Sequence, residues 1–189
     1  MITIILMILD VFLVLFLALT IFRFFRVIFM RATLIKKLKK VCNTKKYKLE
    51  VLRFPFSSIF YKSGKVDLIV KTPQDDYYVK LVSSFSAKKV FHFVDSTNYI
   101  TYLKTYFALP MANSVSEGVH LVSYHQFPKI IKKEPICENE KYVVLFNPVP
   151  NEITYISKDG SKQIAGNGAM LEEFYIYNGK GFCSLLDRL

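Results

Sequence analysis

A chain of 189 residues, with 52% hydrophobic side chains and a net charge of +11, has room for one ordinary domain and an extra segment. The charge is uneven: residues 1–50 carry ten Lys or Arg against Asp10 and Glu50, a net +8, and residues 51–189 carry only +3. That remainder argues against a nucleic-acid groove, and the wide spacing of Cys42, Cys137 and Cys183 excludes a C-x-x-C metal pair and a disulfide framework.

Residues 2–22 hold one charge, Asp10, and two hydroxyls, Thr3 and Thr20. As a helix rising about 1.5 Å per residue they reach roughly 30 Å, the thickness of a bilayer core. A cleaved signal peptide needs a basic leader and a small-x-small site; here only Met1 precedes the run, and Phe22-Arg23-Phe24-Phe25-Arg26 follows it. The expectation is a single N-terminal transmembrane helix in the cell membrane. Basic residues crowd just beyond it: Arg23, Arg26, Arg31, Lys36, Lys37, Lys39 and Lys40. That asymmetry predicts a C-terminal domain on the cytoplasmic side. It also predicts contact of these residues with anionic lipid head groups, at about 1 kcal/mol each. Asp10, near the middle of the span, costs roughly 2.5–3.5 kcal/mol to insert. It reads either as a polar contact to another membrane protein or as a cost that its apolar neighbours outweigh.

Leu34, Ile35, Leu38 and Val41 then recur at helical spacing with lysines between them. This predicts a basic amphipathic helix over 31–48, lying on the membrane or packing its stripe on a sheet. The chain accordingly divides into an anchor with an aromatic and basic interface (1–30), this helix (31–48) and a cytoplasmic domain (49–189).

Within the domain, 48–54 reads as a strand closed by Pro55, and 65–72 and 77–83 as a hairpin turning at Pro73-Gln74-Asp75-Asp76. Residues 90–94 form a third strand; 98–109 fits a helix or an aromatic-rich strand; 115–127 reads as a short helix. The apolar run 141–146 suits a central strand covered on both faces. A second hairpin, 153–156 and 162–164, turns at Lys158-Asp159-Gly160; a short strand over 174–177 and a closing helix over 182–189 end the chain. This order predicts an α/β (α+β) domain, a mixed sheet flanked by helices.

The chain has no G-x-S-x-G, no P-loop and no G-x-G-x-x-G, and Gly166-Asn167-Gly168 reads as a tight turn. His120 and His125 stand about 140° apart on a helix, poor geometry for a shared metal, and His92 reads as a strand residue. No metal or cofactor is expected. The stretch GKVDLIVKTPQDDYYVKLVSS (64–84) resembles the hairpin of PD-(D/E)XK nucleases in length, turn and hydrophobic pattern. That family places a metal-binding Asp at the start of one strand and Glu-x-Lys on the next. Alternation puts the acids and the lysine on one face around Mg²⁺. Asp67 matches the first acid, but Lys80 stands where the second acid belongs and Val82 where the lysine belongs. The preceding helix, the strand 90–94 and a later helix match the family's core order. The resemblance implies a nuclease-like fold without a complete site, hence a membrane-anchored interaction or scaffold module. The alternative is a membrane-tethered, metal-dependent nuclease with a rearranged site, with Asp67, Lys71 and Lys80 as candidate residues.

Overall fold

The computed structural model describes residues 2–53, 66–83, 89–95, 98–108, 115–126, 138–157, 160–171 and 174–189. The apolar run and the amphipathic stretch are one helix: α1 spans Ile2–Lys45 without a break. Its front part contains an 18-residue window of mean hydropathy 2.4, none of it buried, and is long and apolar enough to cross a membrane. From Val27 onward the same helix becomes amphipathic. Val27, Arg31, Leu34, Ile35, Leu38 and Cys42 are buried at spacings of three and four, and Lys36, Lys37, Lys39 and Lys40 stay exposed. The stripe therefore packs on the sheet. Burial of this stripe begins inside the helix, at Val27.

α1 ends where Lys46 turns into the left-handed region (φ 59°). Tyr47 N–H donates to the Cys42 carbonyl at 2.8 Å and Lys46 N–H to the Asn43 carbonyl at 3.3 Å. These bonds satisfy carbonyls that the helix end would leave open.

Among the described residues eleven strands follow: β1 Lys48–Val51, β2 Leu68–Lys71, β3 Asp76–Val82, β4 Lys89–Phe93, β5 Asn98–Ala108, β6 Val115–Gln126, β7 Glu140–Phe146, β8 Glu152–Ile156, β9 Lys162–Ile164, β10 Ala169–Leu171 and β11 Phe174–Asn178. The helix α2, Gly179–Arg188, closes the chain. One sheet runs β1-β2-β3-β7-β11-β10, with β7 parallel to both β3 and β11; the other runs β6-β5-β4-β8-β9, with β4 parallel to β8. Three layers result. On one face of the first sheet, Leu68, Val70, Val79, Leu81, Val143 and Leu145 meet the α1 stripe and Phe182 and Leu186 of α2. On the other face, Tyr142, Val144, Phe146 and Ile176 meet Phe91, Phe93 and Ile153 of the second sheet. The strand β7 thus buries alternate side chains in both cores, which is why its sequence is continuously apolar.

The fold is the expected α+β domain behind one long apolar helix, with two differences. The helices cover one face of the mixed sheet, and a second sheet covers the other. The region 115–126 is a strand, not a helix: its backbone pairs with β5 from Ala108↔Val115 to Asn98↔Gln126, across an irregularity between Thr101 and Leu103. Pairing over that length overrides a weak local pattern rich in Val and interrupted by Gly118. The region 98–108 resolves to a strand for the same reason. Pro55, Cys137, Lys158, Asp159 and the side chains of His120 and His125 lie outside the described residues.

Candidate functional site

The hairpin β2–β3 forms with the register Leu68↔Val79 to Lys71↔Asp76. Asp67 immediately precedes β2, and its backbone N–H donates to the Val79 carbonyl at 2.9 Å. The next position along β3 is Lys80, so the alternation of both strands turns Asp67 and Lys80 to the same face. Their charges meet: Lys80 Nζ lies 3.3 Å from Asp67 Oδ2 with side chains only 9% and 1% exposed. Asp67 Oδ2 also accepts the Leu81 N–H at 2.8 Å. Asp67 Oδ1 is buried without a hydrogen-bond partner among the described residues.

Two further cations act on this pair. Burial pulls the Lys80 ammonium below the usual lysine range, and Arg53 and Arg31 push the same way, against the opposing pull of Asp67. Burial likewise lowers Arg31, and Asp67 works against that. One buried carboxylate therefore compensates two buried cations.

Arg31 was expected at the lipid head groups. It is instead 3% exposed and belongs to the domain. The reason is helical phase: it lies four residues after Val27 and three before Leu34, on the buried stripe. Its Nε donates to Ser83 Oγ at 2.6 Å and its Nη2 to the Leu81 carbonyl at 3.3 Å. Ser83 Oγ donates to the Asn147 carbonyl at 2.6 Å, and Asn147 Nδ2 donates to the Met30 carbonyl at 2.8 Å. A closed polar clamp thus ties α1 to the ends of β3 and β7, at the point where the helix leaves the domain. Sequence reading missed Ser83 and Asn147. The only available signal was an Arg on an apolar stripe, which demands buried acceptors.

The remaining candidates fall elsewhere. Lys71 is exposed at the far end of β2, about 13 Å along the strand from Asp67. Asp75 is held by Lys141 Nζ at 2.6 Å and by the Tyr77 hydroxyl at 3.1 Å. Glu50 pairs with Ile69 across β1 and β2, on the Asp67 face, and its carboxylate contacts Lys48 Nζ at 2.8 Å. His92 hydrogen-bonds Thr154 Oγ1 through Nδ1 at 2.8 Å, a contact between two strands of the second sheet. Strand β4, which the nuclease resemblance counted in its core order, belongs to that second sheet. Among the described residues no three His, Cys, Asp or Glu side chains converge as a metal-ligand set. Arg23, Arg26, Lys36, Lys37, Lys39 and Lys40 are exposed along α1, and Asp10 is exposed on its apolar part.

Compared with family models, with curated proteins and with solved structures, the chain has no significant match in any of the three.

Proposed function

We propose that the protein is a single-pass, membrane-anchored scaffold whose C-terminal domain faces the cytoplasm and carries out interaction instead of catalysis. The observation that carries this reading is the Lys80–Asp67 contact of 3.3 Å. In a nuclease-like hairpin the cation beside that aspartate would be a divalent metal; here a lysine of the chain supplies the charge. The clamp around Arg31 adds a second support. It removes any flexible linker between the apolar helix and the domain, so the domain would be presented to partners at a fixed attitude to the membrane. Anionic lipid head groups would meet Arg23, Arg26, Lys36, Lys37, Lys39 and Lys40, and a second membrane protein would meet Asp10.

A tethered nuclease with a rearranged site is the second reading. It draws on Glu50, placed by its register on the Asp67 face. One experiment separates the two: incubate the full chain in detergent with DNA and RNA, with Mg²⁺ or Mn²⁺, beside Asp67→Ala. The scaffold reading expects no cleavage by either protein. Metal-dependent cleavage that disappears in the variant would establish the nuclease. Protease added to sealed, right-side-out vesicles should leave the domain intact; digestion there would refute the cytoplasmic orientation.

A further inference from the structure

Chain direction fixes which end of the domain faces the apolar half of α1. Asn147 Nδ2 donates to the Met30 carbonyl, so the C-terminal end of β7 lies beside the helix where it enters the domain. From Asn147 the chain crosses to the second sheet and starts β8 at Glu152, and the Asn151 N–H donates to the Lys89 carbonyl at 2.9 Å. β8 therefore runs away from that end, and β4, parallel to it, runs away as well. β5 is antiparallel to β4 and runs back toward it. Ring contacts agree: Phe91 lies 5.2 Å from Phe146, and Phe93, further along β4, lies 5.7 Å from Phe174 at the far start of β11. β4 and β5 are paired as far as Lys89↔Leu103, whereas β5 and β6 stay paired to Ala108↔Val115. Among the described residues 104–108 and 115–119 thus form a two-stranded arm that projects past the second sheet toward the apolar half of α1.

We propose that this arm makes a second membrane contact: Tyr106, Phe107, Ala108 and Val115 enter the head-group layer of the leaflet that α1 leaves, down to the top of the acyl chains. The assignment rests on the reading that residues 2–22 sit in the membrane. Met30 then lies about 12 Å beyond the hydrocarbon boundary. Lys89 and Leu103 sit near the same level, since Phe91, two residues further along β4, touches Phe146, the residue before Asn147. From Leu103 to Ala108 the strand extends about 17 Å. A register irregularity between Thr101 and Leu103 lies at the root of the arm, and such irregularities bend a strand; tilted by about 45°, the arm still reaches about 12 Å. The sequence suits that place. No charged residue occurs over 105–116, and tyrosine, here Tyr106, collects at membrane interfaces. A two-stranded ribbon is marginal in water, which favours an arm that finds cover. Water still reaches the backbone in the head-group layer, so the edge of β5 beyond β4 needs no protein partner there, as it would within the hydrocarbon.

The chain has no tryptophan, so a single introduced one reports its own position. The test is tryptophan fluorescence of the full chain in vesicles of phosphatidylcholine and phosphatidylglycerol, the phosphatidylcholine brominated either near the top or near the end of its chains. Phe107→Trp and, on the other strand of the arm, Val115→Trp should be quenched at least about twofold by the shallow bromines and less by the deep ones. Ile156→Trp, at the far end of β8, should not be quenched. Quenching at either arm position supports the contact. Quenching at neither overturns it, whether the emission stays at the wavelength of tryptophan in water or shifts to the blue, the mark of burial against a second copy of the chain. Leu15→Trp keeps the two readings apart. If the deep bromines quench it while the arm stays unquenched, only the arm is refuted; if they do not quench it, the anchoring reading falls and the arm with it.

Discussion

The two parts of α1 share one continuous backbone and differ in what surrounds it. From Met7 to Phe22 most apolar side chains are exposed: Leu15 is 55% exposed, Phe16 68% and Phe22 66%. From Val27 to Cys42 one apolar stripe is closed off, with Leu38 at 0% and Cys42 at 1%, while Phe29 on the opposite side stays exposed. Hydrogen bonding inside a helix is complete in either setting, so the backbone does not choose between them. The side-chain pattern does. A helix that is apolar all round has no polar face to give to water and suits a membrane; one with a single apolar stripe and lysines opposite suits the surface of a sheet. Arg31 marks the changeover. A guanidinium on the buried side requires acceptors, and Ser83 and the Leu81 carbonyl provide them.

The largest effect should come from the buried ion pair that neighbours this changeover. Lys80→Met removes the cation in contact with the buried Asp67 carboxylate and should cost about 3–5 kcal/mol. Asp67→Leu combined with Lys80→Met should recover most of that loss. Urea unfolding of the full chain in detergent measures both. A single Lys80 variant as stable as the parent would show that the pair contributes nothing to the fold, and would reopen Asp67 as a ligand group.

Next in size is the contrast between the helix halves themselves. Leu38→Ala should destabilise the domain by about 2–5 kcal/mol, because it opens a cavity between α1 and the sheet. Leu15→Ala should change domain stability by less than about 0.5 kcal/mol. Equal losses in thermal melts of the two variants would break the comparison, since the front half would then be packed core.

The smallest effect concerns the end of the helix. Lys46 holds a left-handed backbone that costs a side-chain-bearing residue about 1–2 kcal/mol, part of which glycine returns through its own greater entropy loss on folding. Lys46→Gly should therefore stabilise the domain by up to about 1 kcal/mol, read as a higher melting temperature. A fall instead would mean that the Lys46 side chain contributes more than its strained backbone costs.

Much of the fold was legible because neighbours in sequence carry it. The hairpin over 65–83 announces itself by alternation around Pro73-Gln74-Asp75-Asp76, and the apolar β7 by its length. The sequence predicts a closing helix over 182–189; it begins at Gly179, because Asn178 Oδ1 accepts the Gly181 N–H at 2.8 Å and caps it there. The short strand β10 was missed: its three residues have no periodicity to read, and its pairing with β11 creates it. For β6 the local signal is ambiguous, and its pairing with β5 identifies it.

By itself, the sequence determined that one helix is long and apolar enough to cross a membrane, that the basic charge lies just beyond it, and that an α+β domain follows. These are properties of composition and period, which act over a turn or a strand. The tertiary structure alone decided that Arg31 turns inward while Lys36 and Lys37 face out. It also decided that Lys80 reaches Asp67 while Lys71 does not. Each of these depends on register and on which layer covers which face. Such relations are set only when distant segments bury their apolar surfaces together, and the polar groups left inside must then find partners wherever the packing has put them.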